Sequence, residues 1–106
     1  MFELTEEQQM IRDTVRRIAD NEVARRAAEI DAKGEFPWDI KELFQEYGLF
    51  GIDIPEEYGG TGIDHLALCL AEEEIARQCT SSSLILQVQA LAASVIVIGG
   101  GDEQKK

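Results

Sequence analysis

Few residues in this chain have the types and spacing to do chemistry. His65 is the only histidine, and it follows Asp64 at a helix start. A general base needs a hydrogen-bonded partner and a pocket, so a place on a helix surface is the simpler reading for His65. Glu72, Glu73 and Glu74 are consecutive. On a helix they diverge and cannot all serve one site, though one or two can pair with arginines of the first helix. Tyr58-Gly59-Gly60-Thr61-Gly62 has the glycines of a phosphate cradle. It lacks the Lys-Ser/Thr ending of a P-loop and the G-x-G-x-x-G spacing of a dinucleotide fold, so it reads as a shaped turn. No CxxC pair or zinc ligand set is present.

Cys69 and Cys79 fall in what reads as one helix, about 15 Å apart along its axis and too far for a disulfide. Beside apolar neighbours they read as small core hydrophobes, and unpaired thiols point to a reducing cytoplasm. Gln87 and Gln89 pose a different question, because they lie in a run from Thr80 to Gly101 that carries no charge. A buried amide needs hydrogen-bond partners. Either these two face water, a helix end or another subunit, or with Ser83 they line a polar spot in an apolar cavity.

The elements that must position these residues are helical. Thr5 with Gln8 forms a capping-box start. Ile11, Val15, Ile18, Glu22/Val23, Ala27 and Ile30 then recur at helical spacing, with Asp13/Arg17 and Glu22/Arg26 as four-residue ion pairs on the other face, until Gly34. Pro37 suits the first position of a second helix, whose apolar stripe is Ile40, Leu43, Phe44 and Tyr47, with Gly48 as terminator. The stretch from Leu49 to Gly62, rich in glycine and proline, must be an ordered connection. Asp64 caps a third helix through Leu66, Leu70, Glu73/Glu74 and Arg77. Ser81 to Ser83 can cap the fourth, Leu84 to Ile98.

That fourth helix is apolar all round, which is the pattern of a helix buried all round. Its own three neighbours cannot cover it, so another domain, another subunit or an apolar ligand must. A bilayer-spanning helix needs roughly 20 apolar residues; this run is shorter and is interrupted by Gln87, Gln89 and Ser94, so a buried helix is expected and no membrane insertion. Gly99-Gly100-Gly101 ends it, and Asp102 to Lys106 reads as the capped first turn of a fifth helix, cut in mid-element.

The expected fold class is all-α: a four-helix, up-and-down-like bundle with a Gly-rich ordered loop between helices 2 and 3. At 106 residues it is one domain, and its 44% hydrophobic content suffices for a core. Ten Lys+Arg against 21 Asp+Glu give a net charge of −11, which repels nucleic acid and anionic lipid. The start, Met1-Phe2-Glu3-Leu4, has no basic flank before an apolar stretch, so no signal peptide is expected.

Taken together, four stretches resemble the N-terminal helical domain of the acyl-CoA dehydrogenase family. They are Leu4-Thr5-Glu6-Glu7-Gln8; Gly48-Leu49-Phe50-Gly51 through Pro55-Glu56-Glu57-Tyr58-Gly59-Gly60-Thr61-Gly62; Glu73-Glu74-Ile75-Ala76; and Gly100 to Lys106. The Pro-x-x-Tyr-Gly-Gly-x-Gly loop is the most specific piece. The resemblance implies that residues 1–106 are this domain alone, with a middle β domain and a C-terminal helical domain absent from the chain.

It also implies an FAD-dependent enzyme that introduces an α,β double bond into an acyl-CoA thioester, passes electrons to an electron-transfer flavoprotein and assembles as a homotetramer. No catalytic, cofactor-binding or metal residue maps to this chain by the resemblance, and the 106 residues alone are expected to be inactive. What maps is the acyl pocket: Ser83, Leu84, Gln87 and Leu91 are expected to face the acyl chain. Gln89-Ala90-Leu91 and Val95 depart from the pattern of many relatives, so the acyl group does not transfer. The alternatives are a non-enzymatic helical binding or assembly module, and a family member with other flavin chemistry, such as an oxidase or hydroxylase.

Overall fold

The computed structural model describes residues 3–105. The described chain is helical, in the order α1 (Glu6–Ile18), a π-helical turn (Ala19–Val23), α2 (Ala24–Lys33), α3 (Trp38–Glu46), α4 (His65–Gln78), α5 (Thr80–Gly99) and α6 (Asp102–Lys105). Because α1, the π turn and α2 form one rod, the four expected helices and the opening turn of a fifth are all present. Met1 and Phe2, used above for the absent leader, and Lys106, used for the fifth helix, lie outside the described residues.

The first rod begins as its sequence dictates. Thr5 Oγ1 accepts from the Gln8 N–H at 3.1 Å, and Gln8 Oε1 accepts from the Thr5 N–H at 2.9 Å. The π turn explains the irregular apolar spacing that follows. Ile18 and Val23 are five residues apart, and the wider turn keeps both buried. It also rotates Glu22 away from Arg26. Arg26 instead pairs with Glu29 at 2.7 Å and reaches Asp39 of α3 at 2.8 Å. The expected Asp13/Arg17 pair likewise gives way, Asp13 bonding Arg12 at 3.1 Å.

Gly34 takes the left-handed conformation that ends α2. Pro37 stands one position earlier than expected, as the N-cap of α3, and is buried. Ile40 and Phe44 are buried and Leu43 packs on the core, but Tyr47, at the end of α3, is 54% exposed. The Gly-rich connection then folds on itself: the Thr61 N–H reaches the Gly51 carbonyl at 2.8 Å, and the Gly62 N–H reaches Ile54 at 2.9 Å. Gly60 has no alternative, since a Cβ there would run into the Ile54 carbonyl oxygen.

Asp64 caps α4 through Ala67 at 2.7 Å. The core side of α4 is Ala67, Leu68, Ala71 and Ile75, which places Leu66 in solvent at 48% exposure. α1 packs on one side of α4 and α5 on another, around Val15, Phe44, Ile52, Leu68, Ile75 and Leu86. Cys79 is not inside a helix: its extended backbone (φ −158°, ψ 104°) makes it the single joint between α4 and α5. It is buried, whereas Cys69 is exposed and not the core residue expected, because it lies off the Leu68–Ile75 face.

α5 departs most from expectation. It starts at Thr80, so Ser81 to Ser83 lie inside its first turn and do not cap it. Within this chain only Ser82, Ser83, Leu86 and Ala90 are buried. At 20 residues and a mean hydropathy of 1.8 it is, among the described residues, the one helix long and apolar enough to cross a bilayer.

Candidate functional site

The feature left open by the fold is the outer face of α5. Residues 84, 87, 88, 91, 95 and 98 recur at steps of three and four and share one side of the helix. Leu84 is 49% exposed, Leu91 68%, Val95 68% and Ile98 85%. A monomer rarely leaves so long an apolar strip in water unless something covers it. Gln87 sits within the strip, and both Gln87 and Gln89 are exposed, so neither amide needs an internal partner.

Of the four residues expected to face an acyl chain, the structure brings Leu84, Gln87 and Leu91 together on this face. Ser83 is set apart: it is buried, and its hydroxyl donates to the Thr80 carbonyl at 2.7 Å. It fixes the first turn of α5 and holds no free donor for a ligand.

Beside this face runs an open cleft of about 940 Å³ between α3 and α5. Leu84, Val88 and Gln89 line its α5 side, and Phe36, Trp38 and Lys41 its other side. The Phe36 and Trp38 rings meet at 4.6 Å between centroids, tilted by 60°. Sequence reasoning did not single out Phe36, Trp38 or Val88. The available signal was the lone tryptophan of the chain, set beside a proline between two helices.

The titratable groups lie elsewhere and have structural work. Glu74 is buried and accepts two bonds from Arg16, at 2.9 and 3.1 Å, the pairing foreseen for this acidic run. Arg16 holds its carboxyl below the ordinary carboxylate range. Burial pushes Glu72 upward, helped by Asp53 and opposed by His65. His65 itself is exposed, with Nδ1 3.5 Å from Asp53 Oδ2. Burial also raises the Cys69 thiol, with Glu72 and Asp53 adding to it, which keeps it from being a ready nucleophile. No group of three or more His, Cys, Asp or Glu among the described residues could hold a metal.

The face can therefore bind an apolar chain and offer it one amide, but it places no acid or base against a ligand. The described residues also make a poor cradle for a flavin diphosphate. The N–H groups of Gly60, Thr61 and Gly62 are committed to backbone carbonyls, and Arg16, Arg26 and Arg77 are committed to carboxylates.

Residues 5–106 match the family described as acyl-CoA dehydrogenase, N-terminal domain. A probable acyl-CoA dehydrogenase of Bacillus subtilis (strain 168) is 43% identical over 106 residues, which are 99% of this chain and 28% of that protein. The solved butyryl-CoA dehydrogenase of Megasphaera elsdenii superposes with a TM-score of 0.88 at 31% identity, over 99% of this chain and 28% of that one. A chain from the structural work on the electron transferring flavoprotein of Acidaminococcus fermentans gives 0.86 at 33% identity, over 99% and 28%. The chain thus spans little more than a quarter of the proteins it matches.

Proposed function

The chain belongs to the acyl-CoA dehydrogenase family, as its N-terminal domain, and on that premise we propose that it walls the acyl pocket of an FAD-dependent enzyme that forms an α,β double bond in an acyl-CoA thioester. The observation that carries this is the uncharged outer face of α5, where Leu84, Gln87 and Leu91 stand together in solvent. Such a face suits the methylene chain of a thioester. Forming the double bond requires removal of an α proton and a β hydride, and this face has no group for either. Base and FAD contacts therefore fall to other parts of the polypeptide, in keeping with the committed amides and arginines here.

The coenzyme A phosphates must also be held elsewhere, because a chain of net charge −11 repels them. An electron-transfer flavoprotein is the proposed electron acceptor, supported by the likeness to the Acidaminococcus chain. A homo-oligomer, a tetramer by resemblance, and a cytoplasmic location, suited to two free cysteines, complete the proposal.

The test is turnover of a panel of acyl-CoA thioesters by the complete polypeptide, beside its Gln87→Ala variant. Wild type should carry flavin and reduce an artificial acceptor, and the variant should change acyl-length preference at unchanged flavin content. Identical profiles would remove Gln87 from the wall. Absence of turnover with every thioester would favour an assembly module that uses the same face to bind protein. The 106 residues alone should purify without flavin absorbance and without activity.

A further inference from the structure

Three consecutive glycines close α5, and the packing requires only one of them. Gly100 leaves helical geometry (φ −81°, ψ 160°), and its N–H reaches the Ile96 carbonyl at 2.8 Å. A Cβ at Gly100 would lie 2.5 Å from that same oxygen, so no other residue fits. Gly99 and Gly101 differ from it. Each has open space where a Cβ would stand, and neither has a positive φ.

Gly99 is the last residue of α5, where glycine weakens a helix relative to alanine. Gly101 occupies the position before α6, where Ser, Thr, Asn or Asp would cap the helix. Its N–H reaches Gln104 Oε1 at 2.9 Å, which is one half of a capping box, and it has no side chain to make the other half. Two side chains that would stiffen this junction without steric conflict are therefore missing from it.

We propose that Gly99–Gly101 is a hinge, about which α5 changes its angle to the chain that follows. The other end of α5 offers no such freedom, being joined to α4 through Cys79 alone, which is buried. Because α5 carries Leu84, Gln87 and Leu91, bending at the glycines alters the width of the face they form. That consequence for acyl selection rests on the function proposed above; the hinge itself does not.

The test compares the complete polypeptide with its Gly99→Ala/Gly101→Ser variant by amide hydrogen exchange and by kinetics. In the wild type, residues 99–104 should exchange faster than the middle of α5. In the variant the same amides should exchange roughly fivefold more slowly, the ratio expected from helix propensity, with α4 unchanged. Exchange at 99–104 as slow in the wild type as in mid-α5, or unaltered by the substitutions, overturns the hinge. For acyl selection, kcat/KM for the bulkiest accepted thioester should fall at least about threefold relative to the smallest. An unchanged ratio sinks the link to the acyl wall. Should the wild type turn over no thioester at all, the dehydrogenase reading fails, while the exchange comparison still decides the hinge.

Discussion

Gln8 Nε2 donates to Asp64 Oδ2 at 2.9 Å, joining two residues 56 positions apart that each cap a helix. Gln8 Oε1 serves the start of α1, and Asp64 Oδ1 serves the start of α4. One bond thus ties together the two helix origins on either side of the bundle.

Asp64→Ala removes the α4 cap and leaves the buried Gln8 amide without its partner, so a loss of about 1–2 kcal/mol is expected in chemical denaturation. Gln8→Glu should lower Tm more than Gln8→Ala at neutral pH, because it sets two carboxylates at hydrogen-bond distance. A Gln8→Glu variant as stable as Gln8→Ala would show that the two side chains do not meet in solution.

The acidic run gives two opposite pH responses. Arg16 depresses the Glu74 pKa in the folded state. Its stabilisation is therefore complete above the unfolded value of about 4.3 and is lost as pH falls through the lower folded value. Glu74→Gln should reduce Tm most at neutral pH and least in acid. Glu72 is raised by burial, so its contribution is complete below about 4.3 and is lost as pH rises through the raised folded value. Glu72→Gln should raise Tm at neutral pH, with the gain vanishing in acid. A Tm series across pH reads both signs.

In the Gly-rich loop, Gly60→Ala should destabilise by about 1–3 kcal/mol, because the added methyl meets a backbone oxygen that cannot rotate away. Thr61→Val should cost about 1 kcal/mol, through loss of the hydroxyl bonds to the Gly51 and Ile52 carbonyls. A Gly60→Ala melting curve that overlays the wild type would mean the loop is open in solution.

α5 should separate core from docking face by mutation. Leu86 is fully buried, and Leu86→Ala should cost about 2–5 kcal/mol. Leu91→Ala in the 106-residue chain should stay within about 0.5 kcal/mol of wild type, yet alter acyl selection in the complete polypeptide. The isolated chain should self-associate through this strip, and Leu91→Asp should weaken that association in light scattering. A monodisperse wild-type monomer would count against the strip as a sticky surface.

Much of this was legible from local chemistry. The capping box at Thr5 and Gln8, the cap at Asp64 and the stops at Gly34 and Gly48 depend on a few neighbouring residues, and each is found as expected. The self-contained glycine loop was legible for the same reason. The tie from Gln8 to Asp64 was not, because it depends on the packing of α1 against α4. The start of α5 was misplaced because the three serines suggested a cap, while the extended Cys79 had already begun the helix. At the candidate site, Leu84, Gln87 and Leu91 follow from helical periodicity. Ser83 shares their quarter of the helix but turns its hydroxyl onto Thr80, a choice of rotamer that periodicity cannot reveal. The Phe36–Trp38 side of the cleft depends on how α3 sits beside α5, which no spacing within either helix encodes.

The single-residue joint at Cys79 makes α5 a cantilever. One end is clamped between Ser82 and the core, and the other ends in glycine. Over a rod of 20 residues, about 30 Å long, a tilt of one degree moves the far end by about 0.5 Å. The movement grows with distance from Cys79, so Leu84 stays nearly fixed while Val95 and Ile98 travel furthest. The face is a graded wall, stiff where a bound chain first meets it near Leu84 and compliant towards Ile98.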